Sequence, residues 1–386
     1  MNGPDNLIDA PVRAAALPEV RNHTGFPSQY YQMMDVADQL FHVMVSRLTY
    51  DMRQADDEGL LLLADEQTPL AESDRYIGAI NQSSLIEESD YATFKPRCDI
   101  LFAHAVAHAP GGKPSARWPV GVRIGDWQKR LTICGPRRLA RTRLGWKLAE
   151  PEAVSEVPIR YEHAWGGTCR WPLQAADDEA QLLAREEHNP IGCGFADSGW
   201  LDKSRIAQVA APQIEVLGRP FDLSAAGAQR YPVVGLGAIG RWWRPRAELA
   251  GTYDEAWQQS RWPRLPLDFD FGYWNCAPRD QQIAYPGGGE QVVMIGLHPG
   301  GEIRFRLPRP ALKLLLSLES GVPLFKPLLT DTLIFDLQSL QLIVVQRALV
   351  AAAAGVQKIE LGTWDIAAAR RSNAAKLARI KGGAHG

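Results

Sequence analysis

PVGVRIGDWQKRLTIC, residues 119–134, reads as a single β-hairpin. Val120, Val122 and Ile124 alternate with small or polar residues, which places them on one face of an extended chain. Gly125-Asp126 supplies a two-residue turn with glycine first, as a type II′ turn requires. Leu131 and Ile133 carry the apolar face back along the return strand.

The same pattern recurs on both sides. Residues 292–297 and 302–308 form a second hairpin through His298-Pro299-Gly300-Gly301, with Ile303, Phe305 and Leu307 facing one way and Arg304 and Arg306 the other. A third hairpin pairs 332–337 with 341–346. Both of its strands are apolar on both faces, as in the middle of a sheet. Upstream, 41–52 is a strand with 60–64 as its partner across the polar 54–59 segment, and 100–106 is an apolar strand. Residues 83–90 are polar and acidic and read as loop.

Helical signals are few. Residues 177–187 predict a short charged helix and 253–260 about two turns, before prolines intervene. Residues 365–381 predict a helix capped by Asp365, with Arg370, Arg371, Lys376, Arg379 and Lys381 giving it a basic face. The expected architecture is therefore mainly β: antiparallel sheets in a sandwich-like arrangement, long loops, a few short helices and a C-terminal helix. It divides into a flexible leader (1–19), one β domain (20–355) and a basic helical tail (356–386).

With 386 residues and a formal net charge of −2, the chain lacks the basic surplus of a dedicated nucleic-acid binder. The N-terminus has no apolar run of the secretory kind. The apolar 342–355 stretch is too short to span a bilayer and contains Gln346 and Arg347. No membrane partner is expected. The five cysteines are scattered, odd in number and without a CxxC pair, which fits free thiols in a reducing cytoplasm.

Residues 241–282 do not fit an amphipathic element. Five of the twelve tryptophans (Trp242, Trp243, Trp257, Trp262 and Trp274) fall there, with Arg244, Arg246, Arg261 and Arg264 among recurrent prolines. The composition predicts a looped layer in which indoles cover apolar surface and arginines stack or pair at its edges. Trp and Arg dominate interface energetics, so the composition fits a protein-binding surface, and equally a packed junction or a folded core with long loops.

Three motifs carry possible chemistry. Gly235-Leu236-Gly237-Ala238-Ile239-Gly240 matches the dinucleotide fingerprint, but Pro245 stops any helix that would present its amides to a pyrophosphate. Asp268-Phe269-Asp270 places two carboxylates on one face of an extended segment, but no further ligand follows at a metal-binding spacing. Pairing with nearby arginines is their expected role. Glu162-His163-Ala164-Trp165-Gly166-Gly167 is the most enzyme-like string, but no nucleophile can be placed beside it. No cofactor and no metal is expected.

Taken in order, these strings resemble a bacterial family of type VI secretion adaptor proteins, encoded near the VgrG spike and PAAR spike-tip proteins. The landmarks begin with Asn22 and Phe26, Thr49-Tyr50, Ser84 with Glu88-Ser89-Asp90, and Lys95-Pro96 with Asp99. They continue with Gly111-Gly112-Lys113-Pro114, Gly135-Pro136-Arg137, Tyr161 with the Glu162 string, and Asn189-Pro190-Ile191-Gly192. Trp243-Arg244-Pro245-Arg246, Gly251-Thr252-Tyr253-Asp254 with Trp257, Pro266-Leu267-Asp268-Phe269-Asp270, Asn275, Ala277-Pro278 and Asp280-Gln281-Gln282 complete the set. Cys134 and Cys193-Gly194 depart from the pattern.

The resemblance covers residues 20 to about 350 and implies a non-enzymatic adaptor or chaperone. Such a protein binds a secreted effector in the cytoplasm and helps load it onto VgrG or PAAR. Trp242, Trp243, Arg244, Arg246 and Trp257 are the expected partner anchors. Glu162, His163, Trp165, Gly166, Gly167, Asp268, Asp270 and Asn275 are expected to hold the loops. The rival reading is a hydrolase using Glu162 and His163 with Asp268 or Asp270; a third is a structural part of the secreted spike.

Overall fold

The Arg117–Ile124 and Trp127–Cys134 strands pair antiparallel around a turn in which Gly125 has φ 54°. This computed structural model describes residues 17–143, 145–171, 181–195, 207–222 and 231–363. Three sheets carry most of the architecture. A five-stranded sheet extends the hairpin in the order Ile214–Val216, Trp127–Cys134, Arg117–Ile124, Gln291–Ile295 and Glu302–Arg306. A four-stranded sheet runs Glu19–Asn22, Val356–Gly362, Lys313–Leu318 and Pro323–Pro327.

The largest sheet has seven strands, in the order Ser28–Met34, Leu40–Ala55, Gln341–Ala351, Leu329–Asp336, Cys98–Ala103 and Gln282–Ile283, with Leu61–Leu63 also on Leu40–Ala55. All three hairpins read from the sequence are present, as is the pairing of Leu40–Ala55 with Leu61–Leu63. Pairing is mostly antiparallel. The exceptions include Leu329–Asp336 beside Cys98–Ala103 and Glu19–Asn22 beside Val356–Gly362.

The seven-stranded sheet is buried on both faces, by different chemistry. On one face Leu48, Phe102, Phe335 and Val344 join a single apolar core with Val120, Ile133 and Val292 of the five-stranded sheet and Leu316 and Ile359 of the four-stranded one. Phe335 stacks on Phe102 at 4.9 Å and reaches Phe305 of the five-stranded sheet at 6.3 Å. On the other face one cross-strand row reads Arg47, Val345, Thr332, Asp99 and Gln282. Arg47 and Asp99 are fully covered there. The cover is the looped 241–282 layer together with residues 84–90.

Three expectations change. Residues 181–185, expected in a helix, form the Gln181–Arg185 strand against Thr168–Trp171, while 177–180 lie outside the described residues. A short charged helix is marginal by itself, and the neighbouring strand supplies a complete backbone ladder instead. Residues 356–362, assigned to the helical tail, form a strand whose Ile359 and Leu361 enter the core. Residues 84–90 are no solvated loop: Leu85–Glu87 is a short strand, and Ser84, Glu87, Glu88 and Asp90 are buried. The expected helix at 253–260 is present as Glu255–Ser260, with Asp254 accepting from the Trp257 amide. The C-terminal helix over 365–381 and all but the last residues of the 1–19 leader lie outside the described residues. No helix among the described residues is long and apolar enough to cross a membrane.

Candidate functional site

The charged face of the central sheet fixes the 241–282 layer in place. Arg47 donates to Glu87 at 2.6 Å and to Asp90 at 2.9 Å, which ties residues 84–90 to the middle of the sheet. The next carboxylate along, Glu88, receives both terminal nitrogens of Arg246, at 2.5 and 3.0 Å. Arg246 also donates to the carbonyls of Ile239 and Tyr273, so one buried guanidinium joins three segments of chain. Asp99 accepts from Lys95 Nζ at 2.9 Å, from Asn275 Nδ2 at 3.0 Å and from the amides of Cys276 and Ala277.

These charges are out of water, so their pairing and not bulk solvation keeps them ionised. Burial is the largest single influence on Lys95 and would lower its pKa, but Asp99 together with Cys276 and Asp331 outweighs it and the ammonium is held charged. Burial likewise opposes the charge on Arg246, and Glu88 reverses the direction. Neither residue is available to a partner.

The Glu162 string packs against the same layer. Glu162 accepts from the Ser84 amide at 2.8 Å and from the Ser84 hydroxyl in a short contact. His163 Nδ1 lies 3.0 Å from the Pro158 carbonyl. Asn189 donates to the carbonyls of Tyr161 and Trp165 and so closes the loop that follows. Gly166 has φ 148°, and a Cβ there would lie 2.2 Å from the Asn189 carbonyl oxygen, so only glycine fits. Within the fingerprint-like run, a Cβ on Gly235 would meet the Tyr161 ring at 2.7 Å; that glycine admits an aromatic ring rather than a phosphate.

The five expected anchors separate into two groups. Trp243 is 3 % exposed, edge-on to Tyr161 at 5.2 Å, and Arg246 is 2 % exposed on Glu88; both belong to the interior. Trp242, Arg244 and Trp257 reach the surface. Trp242 donates from its indole nitrogen to Asn81 at 3.1 Å, with the Arg185 guanidinium 5.6 Å above its ring. Arg244 pairs with Glu187 and Glu248 and remains about half exposed. Trp257 stands apart on the Glu255–Ser260 helix, edge-on to Tyr253 and donating to the Arg264 carbonyl.

Clefts flank the surface pair. On the Arg244 side a cleft of about 550 Å³ is lined by Tyr161, Trp165, Val216, Tyr231, Val233, Val234, Ile239 and the prolines 232, 245 and 278, with Glu186, His188, Arg244, Arg279 and Asp280 as its polar members. On the other side Trp242 and Asn81 line both a polar cleft of about 690 Å³ and a smaller one of about 190 Å³. The apolar cleft was not read from the sequence. Its walls come from five separate segments, and only the crowding of aromatics and prolines near 231–245 hinted at it.

Asp268 accepts from the Thr252 amide and hydroxyl, and Asp270 caps a turn at the Gly272 amide, so neither pairs with the surrounding arginines as the sequence suggested. Both carboxylates hold turns of the looped layer, accepting from backbone amides and, at Asp268, from the Thr252 hydroxyl as well. Glu162 and His163 have different partners from Asp268 and Asp270, and no hydrogen bond joins the two pairs among the described residues. None of the four lines the apolar cleft or the clefts beside Trp242. No group of three or more His, Cys, Asp or Glu with metal-ligand geometry occurs among the described residues.

Residues 38–347 match the model of a family described as an uncharacterized protein conserved in bacteria, DUF2169. No curated protein and no solved structure matches the chain.

Proposed function

We propose, for a chain that belongs to the DUF2169 family of conserved bacterial proteins, a non-enzymatic adaptor that binds a type VI secretion effector in the cytoplasm and helps load it onto the VgrG or PAAR spike. The observation that carries this reading is the apolar cleft beside Arg244, walled by Tyr161, Trp165, Tyr231 and three prolines. Its volume falls in the range of about 300–1,000 Å³ typical of sites that enclose a ligand group. An extended apolar segment of an effector fits such walls, and aromatic and arginine contacts would supply most of the binding energy.

Rigidity favours the same reading. The buried Arg246–Glu88 pair anchors the chain two residues from Arg244, and Arg244 is itself paired with Glu187 at the surface, so less ordering is lost on docking. Binding on this surface needs no nucleophile, metal or cofactor.

The test is affinity capture of the protein from its native cytoplasm, with the retained proteins identified and quantified by mass spectrometry. Recovery of one effector or spike protein in near-equal amount is expected. A Trp242→Ala/Arg244→Glu variant should lose at least about tenfold of that retention, the effect of about 1.4 kcal/mol, while keeping the thermal midpoint of the parent. Equal retention by the variant would remove the site. Recovery of the protein alone, from cells expressing the secretion machinery, would remove the adaptor reading.

A further inference from the structure

A small cavity on the same charged face of the central sheet, beside Arg347, carries a separate inference. It has a volume of about 130 Å³ and lies where the Pro323–Pro327 edge strand approaches Arg347; its polar lining is Lys95, Lys326, Asp331, Arg347 and Tyr285. Arg347 is 3 % exposed and spends its donors unevenly. Its Nε donates to Asp331 at 2.7 Å, and Nη1 donates to the Tyr31 hydroxyl and to the carbonyls of Asp90 and Ala92. Nη2 is buried and has no partner. A guanidinium donor left unmatched out of water is costly and calls for an acceptor.

The charge balance points the same way. Asp331 answers Arg347 and Asp99 answers Lys95, which leaves Lys326 in excess; it is half-buried and its side chain has no hydrogen-bond or ion-pair partner among the described residues. The strand is also built to expose this arrangement. The register of Leu329–Asp336 shifts between Thr330 and Thr332, so Asp331 is the extra residue of a β-bulge. The bulge turns Asp331 to Arg347 while Thr332 remains in the row that meets Lys95.

We propose that this cavity binds a small oxyanion, of the size of phosphate, sulfate or acetate, between Arg347 and Lys326. The volume admits such an ion with at most a water or two, and excludes a nucleotide. Arginine supplies a planar donor fork for oxyanions, and lysine adds a point charge at the mouth. Bound there, the ion would tie the Pro323–Pro327 strand of the four-stranded sheet to the seven-stranded sheet.

The experiment is a titration of the full chain with inorganic phosphate, then sulfate and acetate, at constant ionic strength set with sodium chloride. Thermal midpoint and titration calorimetry are the readouts. A saturable rise in midpoint is expected, with affinity falling at least tenfold in Lys326→Met and recovering in Lys326→Arg. Lys326 lies on a half-exposed edge, so these variants test the site without disturbing Arg347. No saturable effect of any of the three anions would mean that the cavity holds water only and would overturn the proposal. So would an unchanged affinity in Lys326→Met.

Discussion

Arg246 and Glu88 meet inside the protein with both terminal nitrogens of the guanidinium on both oxygens of the carboxylate, across 158 positions of sequence. Both side chains are 5 % exposed or less. The pair links the looped tryptophan-rich layer to the segment that Arg47 holds on the central sheet. Taking one partner away leaves the other charged and buried. Glu88→Ala or Arg246→Ala should each cost about 3–5 kcal/mol, read from urea unfolding. Replacing both by apolar residues of similar size should cost less than the sum of the single changes.

Neighbouring tryptophans should behave oppositely. Trp243→Ala removes a buried indole from between Tyr161 and Gly240 and should destabilise by about 3–5 kcal/mol. Trp242→Ala, on the surface between two clefts, should change stability far less while weakening partner capture. Chemical unfolding of the two variants beside the parent distinguishes them. Equal losses would contradict the inside and outside assignment.

Gly166 offers a test of backbone geometry. Alanine there meets the Asn189 carbonyl and must adopt a conformation that L-residues avoid, so Gly166→Ala should lose about 2–5 kcal/mol or fail to accumulate as folded protein. Asn189→Ala frees the carbonyls of Tyr161 and Trp165 and should weaken the same loop. Limited proteolysis around residues 161–167 reports both effects.

The thiols should be slow to react. Burial pushes the Cys98 and Cys276 thiols well above their ordinary range, Cys134 up to about 11 and Cys193 up to about 12. A thiol-disulfide reagent at pH 8 should label little or nothing in the folded protein, and all five cysteines once the chain is unfolded in denaturant. Rapid labelling of the native state would show that one of these sites opens.

Acid sensitivity should include His42. Burial lowers its pKa below the ordinary 6.5, and its Nδ1 pairs with the Tyr30 hydroxyl at 2.8 Å. The unfolded chain therefore takes up a proton before the folded one does. Stability from this site is full above pH 6.5 and is lost as pH falls through 6.5 towards the lowered folded value. A His42→Phe variant should show a flatter stability profile between pH 7 and about 5.

The sequence by itself determined the class of the fold and its local units. Alternation and turn chemistry marked the hairpins at 119–134 and 292–308, and two short apolar runs marked the one pairing 332–337 with 341–346, because side-chain pattern and turn chemistry act over a few residues. The two turns read at 253–260 are present as the Glu255–Ser260 helix, which the structure shows capped by Asp254. Some of the interior was also legible in retrospect: Arg47, Thr49 and Asp51 alternate with Leu48 and Tyr50, the mark of a strand with one charged and one apolar face. Only the tertiary structure decided what covers that charged face. Glu87, Glu88 and Asp90 look solvated until Arg47 and Arg246 arrive from distant parts of the chain, and Gln181–Arg185 looks helical until Thr168–Trp171 lies beside it. The division of Trp242 from Trp243 and of Arg244 from Arg246 was decided the same way. Their composition is shared, and what separates them is which side of a folded layer faces Glu88 and Tyr161 and which faces water. Local physics sets the period of a strand; burial is set by partners that only the closed fold brings together.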